Sequence, residues 1–532
     1  MRLVSNLRII TWIDGLVLLL AISLIYAEPP MSISKGIHPV VMVEPFILAY
    51  FFLRLLLTLK GKYISCLFLL ILVVLCAREL WLGYVQLFQN FGKGRGQDVC
   101  VGSFSNSGPL GCFLAMSASL FVAVFNRLSK QIVKFPIAVL AVLSVILIFC
   151  TLSRASLLSF AVSMMLLALK SKKCSAFIRQ KCVYISIALL LMGTLGYIVK
   201  KPSADGRILM AKVGLRMMKE NGLRGVGIGN YEGAYGKAQA CLFAEYMDGK
   251  TDFPDIDRIP QNIRMISGCP DYAFNEYIKM GVEAGPTVML LLMGLIITGI
   301  VSSYKNGFCW CYPLVVVAVF SCFSYPYEVN LILLFLIVCL ASADIPLQSC
   351  NKGWFYYAII ILVLSPFCAA RMNLNRGKGV VADTGIITRL CSNRPKRYII
   401  HGLSHVPDGI YDERLLFDYG KSLNEKGRYA ESDSVLTIGT MVSSDPMFWN
   451  VMGNNSLERG DYAKAEECYK QAFLMVPNRL YPLYLLAKLY YTEGDTTRFI
   501  EMSNRISHFK VKVESAKTRR MKDEIVQLGT VF

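Results

Sequence analysis

The sequence predicts an all-α protein, a polytopic membrane helical bundle joined to a smaller domain of helical repeats. Three observations carry this. The chain is 55% hydrophobic and 17% charged with a mean hydropathy of +0.48, well short of the ~25% charge of soluble domains. Apolar runs near the ~20 residues that a bilayer demands recur up to residue 370. Beyond that point the composition turns charged and helically periodic, with no further spanning run.

The runs fall at roughly 7–26, 38–59, 63–89, 104–125, 135–152, 154–170, 182–199, 273–302, 309–326, 328–343 and 354–370, about eleven spans. The first holds Trp12 and Asp14 within a long apolar stretch, so it reads as an anchor rather than a cleaved signal. With the N-terminus inside, alternate connections carry Lys60 and Lys62; Arg127, Lys130 and Lys134; Lys170 to Lys181; Lys305; and Lys352. This obeys the positive-inside rule. Much of the net charge of +19 is therefore a topology signal rather than a nucleic-acid surface. The same alternation exports the loop at about 200–272 and everything after 370, giving a multi-pass membrane protein with an exported C-terminal domain. Most of the 17 cysteines lie in apolar runs and make no disulfide framework. Cys241 and Cys269 bracket an acidic stretch of the exported loop, where an oxidising compartment permits a bridge.

Residues 371–410 read as a linker and 411–532 as the repeat domain. Gly427-Arg428, Gly460-Asp461 and Gly494-Asp495 are separated by 33 and 34 residues, the period of tetratricopeptide hairpins. Trp449, Gly453, Tyr462, Ala465, Tyr469, Ala472 and Pro477 fit the large, small, aromatic and terminating positions of such a repeat.

Ionisable residues at membrane depth mark a cavity or an ion pair. Glu44, Arg78, Glu79, Arg154, Asn275, Glu276 and Glu283 all map to the exported side. Arg154 is a lone cation where the positive-inside rule keeps cations scarce, which points to an anion site. The exported loop adds Asp205-Gly206-Arg207, and residues 200–237 carry eight Lys/Arg against three Asp/Glu. The run Gly225-Val226-Gly227-Ile228-Gly229-Asn230 lacks the preceding strand of a nucleotide fingerprint. It reads as a tight turn that lets backbone lie against a ligand or a neighbouring helix.

The ordered set Gly102-Ser103-Phe104-Ser105-Asn106-Ser107-Gly108-Pro109-Leu110, Thr151-Leu152-Ser153-Arg154, Asp205-Gly206-Arg207, the glycine run, Ala273-Phe274-Asn275-Glu276-Tyr277 and Glu283-Ala284-Gly285 resembles the O-antigen ligase and O-antigen polymerase superfamily. The resemblance covers about residues 1–370. It implies transfer of a glycan from an undecaprenyl-pyrophosphate carrier to an acceptor hydroxyl, on a glycolipid such as lipid A core or on a protein, at the periplasmic face and without a metal or other cofactor. It implies Arg154 and Arg207 as pyrophosphate ligands, joined by Arg78, and Asn275 and Glu276 as the catalytic pair. Gly227, Gly229, Asn230 and Glu79 are expected to position the loop or the acceptor. Where the ligases place histidine, this chain has Phe274, so either Glu276 or another carboxylate such as Glu44 or Glu79 takes the proton, or little base catalysis is needed because pyrophosphate is already a good leaving group.

The chemistry is consistent with the compartment. A glycosyl donor outside the cytoplasm arrives on a lipid, and its leaving pyrophosphate needs fixed cations, for which guanidinium is suited. A polymerase using the same donor is the near alternative. A transporter, or a scaffold that recruits a periplasmic partner through the repeats, is the non-enzymatic one.

Overall fold

The computed structural model describes residues 11–27, 40–90, 100–170, 180, 197–198, 201–247, 258–344, 357–361 and 413–529. The expected spans at 182–199 and 354–370 lie largely outside the described residues, and the 371–410 linker lies wholly outside them. Among the described residues the secondary structure is helical, without a strand.

The first part of the chain builds α1 (Trp12–Ala27), α2 (Val40–Asn90), α3 (Ser107–Phe125), α4 (Gln131–Cys150) and α5 (Arg154–Ala168). Lys60 breaks α2 into two arms with non-helical φ and ψ. Among the described residues, four helices are long and apolar enough to cross a membrane: the second arm of α2, α3, α4 and α10 (Pro286–Lys305). Helices α1, α5, α11 (Cys311–Phe320) and α12 (Asn330–Ala341) are shorter apolar helices.

Helix α3 runs through the core, with Leu110 and Cys112 to Met116 at 0% exposure. It packs on α4, α5 and α11 through small residues. A Cβ at Gly111 would lie 2.5 Å from Ser156 Oγ, so only glycine lets α3 and α5 approach this closely. Ser156, Ser159 and Ser163 repeat on the buried stripe of α5, and Ser163 Oγ donates to Tyr312 O at 2.9 Å.

One polar cluster is fully enclosed by this bundle. Arg54, 1% exposed, donates through Nε and Nη2 to the two oxygens of Asp14 at 2.9 Å and through Nη1 to Asp344 at 2.7 Å. Tyr50 and Tyr357 donate to the same Asp14 carboxylate. A charge at this depth survives because every donor has a partner. The cluster ties α1, α2 and the end of α12 together.

The loop region forms α6 (Lys201–Asn221), α7 (Tyr231–Glu245), α8 (Gln261–Ile266) and α9 (Glu276–Ala284). The single span read at 273–302 is in fact two helices, α9 and α10, broken at Gly285 with φ 90°. A Cβ at Gly285 would sit 1.9 Å from Leu223 O. Glu276 and Glu283 therefore lie on a short amphipathic helix ahead of the span.

The C-terminal domain is α13 (Glu413–Glu425), α14 (Tyr429–Val442), α15 (Met447–Glu458), α16 (Tyr462–Met475), α17 (Tyr481–Glu493), α18 (Thr496–His508) and α19 (Ala516–Gly529). Helices α13 to α18 pair as successive antiparallel hairpins whose turns use Gly427, Gly460 and Gly494 at φ 73 to 80°. Glycine reaches this left-handed region without strain. Gly453 faces the Tyr469 ring closely enough that a Cβ would lie 2.3 Å from it. Trp449 differs from expectation. It packs with Ala240, Met475 and Val476 against α7, whereas Phe448 fills the repeat core.

The repeats dock on the loop helices. A Cβ at Gly233 of α7 would lie 1.8 Å from Met441 O. Asn478 Nδ2 donates to Arg264 O at 3.0 Å and Ser267 O at 2.8 Å.

Candidate functional site

Helix starts converge at one end of the bundle, and each is fixed by a capping side chain. Asn106 Oδ1 accepts from Gly108 N at 2.7 Å, Ser153 Oγ from Ser156 N at 3.4 Å, and Asn275 Oδ1 from Ile278 N at 3.0 Å. These caps satisfy N–H groups that would otherwise be orphaned. They also place the three motif segments in one region.

Aromatic side chains join the segments. Tyr325 stacks on Tyr272 with ring centroids 3.9 Å apart and meets Phe274 edge-on at 5.6 Å. Asn106 Nδ2 donates to Tyr325 Oη at 2.5 Å. Ser156 Oγ donates to Gly108 O at 3.4 Å, so the start of α5 joins the start of α3.

The Arg207 guanidinium lies 4.9 Å from the centre of the Phe274 ring and donates to Phe323 O at 3.1 Å. Burial presses its pKa below the ordinary value, and the neighbouring Arg154 charge presses it further. Arg154, at the start of α5, thus lies within electrostatic range of Arg207. The two non-glycine residues at positive φ, among the described residues, flank the same place: Leu152 and Phe274, both at 52°. Leu152 precedes Arg154 by two positions, and Phe274 lies under Arg207. Such conformations cost roughly 1–3 kcal/mol each and persist where the surroundings impose them.

Arg78 pairs with its neighbour in sequence. Its side chain is 58% exposed and Nη1 donates to Glu79 Oε1 at 3.2 Å. Glu79 is fully buried and accepts from Ser103 N at 2.9 Å and Ser103 Oγ at 2.8 Å. Gln86 two turns on accepts from Val101 N and Gly102 N. Glu79 and Gln86 thereby clamp the loop that delivers Asn106.

Glu276 is 2% exposed and accepts from Tyr327 N at 3.1 Å. Desolvation lifts its carboxyl from 4.5 to about 7, against the opposing pull of Lys279. It lines an apolar cavity of about 390 Å³ between α1, α2, α9, α10 and α12, together with Lys279, Glu283 and Glu328. Lys279 and Glu328 form an ion pair. Arg154 and Arg207 are not among the residues lining this cavity. Glu276 directly follows the turn at 272–275, and Arg207 lies over Phe274 within that turn.

The glycine run lies against a neighbouring helix. Val226 N and Gly227 N donate to Val282 O and Glu283 O at 2.9 Å, and Tyr231 N donates to Glu283 Oε1 at 3.3 Å. Gly229 has φ 81°, and Asn230 Nδ2 donates back to Val226 O at 3.1 Å. These residues close the loop onto the end of α9. Among the described residues, no group of three or more His, Cys, Asp or Glu is placed to hold a metal ion. Cys241 and Cys269 are free thiols rather than a bridge, and Cys269 Sγ accepts from Arg479 at 3.2 Å.

Sequence reading passed over Tyr272, Tyr325 and Lys279. The signal was present in Ser324-Tyr325-Pro326-Tyr327-Glu328, a polar aromatic break between two apolar runs.

Residues 98–293 match the family model described as O-antigen ligase. The matched segment runs from the clamped loop before α3 into α10 and contains both arginines and Glu276. It marks a multi-pass membrane domain of ligase-like or polymerase-type glycan processing. No curated protein matches the chain.

Proposed function

We propose that the protein transfers a glycan from an undecaprenyl-pyrophosphate carrier to an acceptor hydroxyl at the periplasmic face of the inner membrane. The observation that carries this reading is the Arg207 guanidinium held over the Phe274 ring and on Phe323 O, in the region where the starts of α3, α5 and α9 meet and within range of the Arg154 charge. A planar guanidinium presents its donors in a fork that matches phosphate oxygens, so Arg207 and Arg154 at one helix-start region suit a pyrophosphate.

In the reaction, the acceptor oxygen forms a bond to the anomeric carbon while the bond from that carbon to the phosphate oxygen breaks. The electron pair leaves with the pyrophosphate on its lipid, where Arg154 and Arg207 take up the developing charge. The acceptor proton passes to a carboxylate. Glu276, with a pKa near neutrality, suits that role. Asn275 keeps the start of α9 in register, and Glu79 with the 225–230 turn holds the surrounding loops. Arg78, paired with Glu79, contributes positive charge at the rim.

A second role for Glu276 is favoured by its bond from Tyr327 N. As a positioning residue it would fix the 3-10 turn Pro326–Glu328 and hence Tyr325 beside Phe274. Glu276→Gln separates the two, because the amide keeps a carbonyl acceptor but cannot take the proton.

The repeats, read as tetratricopeptide hairpins, hold the acceptor or a partner that delivers it, in a geometry set by their docking on α7 and α8. Deletion of the gene in the native host tests the whole reading. Accumulating lipid-linked polymer marks a ligase, and single-unit glycans mark a polymerase. Unchanged lipopolysaccharide, capsule and glycoproteins remove both.

A further inference from the structure

The opposite end of the bundle holds a second cavity that this reaction does not use. It has a volume of about 450 Å³ and lies between the ends of α3 and α5 and the start of α11. Its lining includes the polar Asn126, Arg127 and Lys170 together with Met164, Leu167 and Tyr312. The described lining thus offers two cations and no carboxylate.

Tyr312 is 1% exposed, and its hydroxyl has no hydrogen-bond partner among the described residues. A buried polar group is ordinarily paired, so a buried phenol without a partner beside two cations points independently to a ligand. Lys170 Nζ stands 4.8 Å from the Tyr304 ring centre and 5.8 Å from that of Tyr312. Arg127 donates to Gly307 O. Both cations are therefore held at the cavity.

A lining of cationic and apolar groups is the inverse of a phospholipid, with its charged phosphate and hydrocarbon chain. Basic pockets between membrane helices on the cytoplasmic side bind anionic headgroups, and the positive-inside pattern assigns Arg127 and Lys170 to that side. We propose that this cavity binds an anionic phospholipid, with Arg127 and Lys170 on the phosphate, the Tyr312 hydroxyl donating to it, and the first acyl carbons against Met164 and Leu167. The site is independent of glycan transfer.

The test uses the purified full chain in detergent, with phosphatidylglycerol, phosphatidylcholine or inorganic phosphate as probe. Native mass spectrometry reads retention of bound lipid, and thermal unfolding reads stabilisation. Phosphatidylglycerol should be retained and stabilising, with phosphatidylcholine and inorganic phosphate weak. Arg127→Ala and Lys170→Ala should each lose about fivefold in apparent affinity, and the double variant about 25-fold.

Tyr312→Phe supplies a control on folding. Without lipid it should be at least as stable as the wild type, because an unpaired hydroxyl is gone, and it should gain less from phosphatidylglycerol. Equal retention of phosphatidylcholine, or unchanged phosphatidylglycerol binding by the double variant, would overturn the proposal. Full stabilisation by inorganic phosphate alone would replace the lipid with a free anion.

Discussion

Replacing Glu276 with glutamine should make the protein more stable while removing its base. The carboxyl titrates at about 7 in the fold against an ordinary value of 4.5, chiefly because it is buried. Between those values the folded protein holds a proton that the unfolded chain has released. Stability therefore falls as pH rises from 4.5 towards 7 and stays low above it. The shift of 7 − 4.5 = 2.5, at 1.36 kcal/mol per pH unit, amounts to about 3 kcal/mol. Glutamine carries no charge to desolvate, and its carbonyl still accepts from Tyr327 N. The difference in unfolding free energy between Glu276→Gln and the wild type should be small near about pH 4.5 and grow to about 3 kcal/mol by about pH 8. Subtracting the two proteins cancels titrating groups remote from Glu276, while Glu283, whose charge also raises the Glu276 carboxyl, stays in the difference. Reversible unfolding in mixed micelles across that range measures it. A difference that does not vary with pH would refute the argument, because the carboxylate would then not be desolvated. Transfer by the wild type should rise with pH through about 7. Transfer by the variant should fall roughly 10²-fold or more if Glu276 takes the proton, and should persist if it only positions the turn.

Other expected outcomes rest on different contacts. Asn478→Ala leaves Arg264 O and Ser267 O without their donor and should cost about 1–3 kcal/mol of repeat docking, read as increased protease cleavage of residues 413–529 from the rest. Gly233→Val should release the repeats more completely, since the first added carbon already meets Met441 O. Trp449→Ala should likewise weaken docking and leave the hairpins folded, shown by unchanged helical circular dichroism of the released domain. Cys241 should alkylate readily without reduction and Cys269 more slowly, because Cys241 is exposed and Cys269 partly buried beside Arg479; mass mapping of a bridged pair would contradict this.

The all-helical class and the membrane character were legible because both rest on local signals, apolar run length and charge distribution. The 33- and 34-residue spacing was legible for the same reason, since Gly427, Gly460 and Gly494 each end a helix in the left-handed region. The break at Gly285 was hidden. A glycine inside an apolar run is silent until Leu223, 62 positions earlier, presses its carbonyl against it. The Asp14, Arg54 and Asp344 cluster was hidden likewise, because its partners are 40 and 290 residues apart. Motif order put Arg154 and Arg207 forward, but their common support, the stack of Tyr272, Phe274 and Tyr325, belongs to segments brought together only by packing. Trp449 matched a repeat position by identity while its neighbour Phe448 took the core. Helical phase near a chain turn shifts by one residue without altering the pattern.

The central claim is that Arg154 and Arg207 bind the leaving pyrophosphate of a lipid-linked glycan. Purified protein reconstituted with undecaprenyl-pyrophosphate-linked glycan and candidate acceptors, followed by release of undecaprenyl pyrophosphate, tests it most directly. The wild type should release the carrier and form glycosylated acceptor. Arg154→Lys and Arg207→Ala should be slowed roughly 10²- to 10³-fold at unchanged fold, since a point charge does not reproduce the guanidinium fork. Wild-type release by both folded variants, or no release by the wild type with any acceptor, would contradict it.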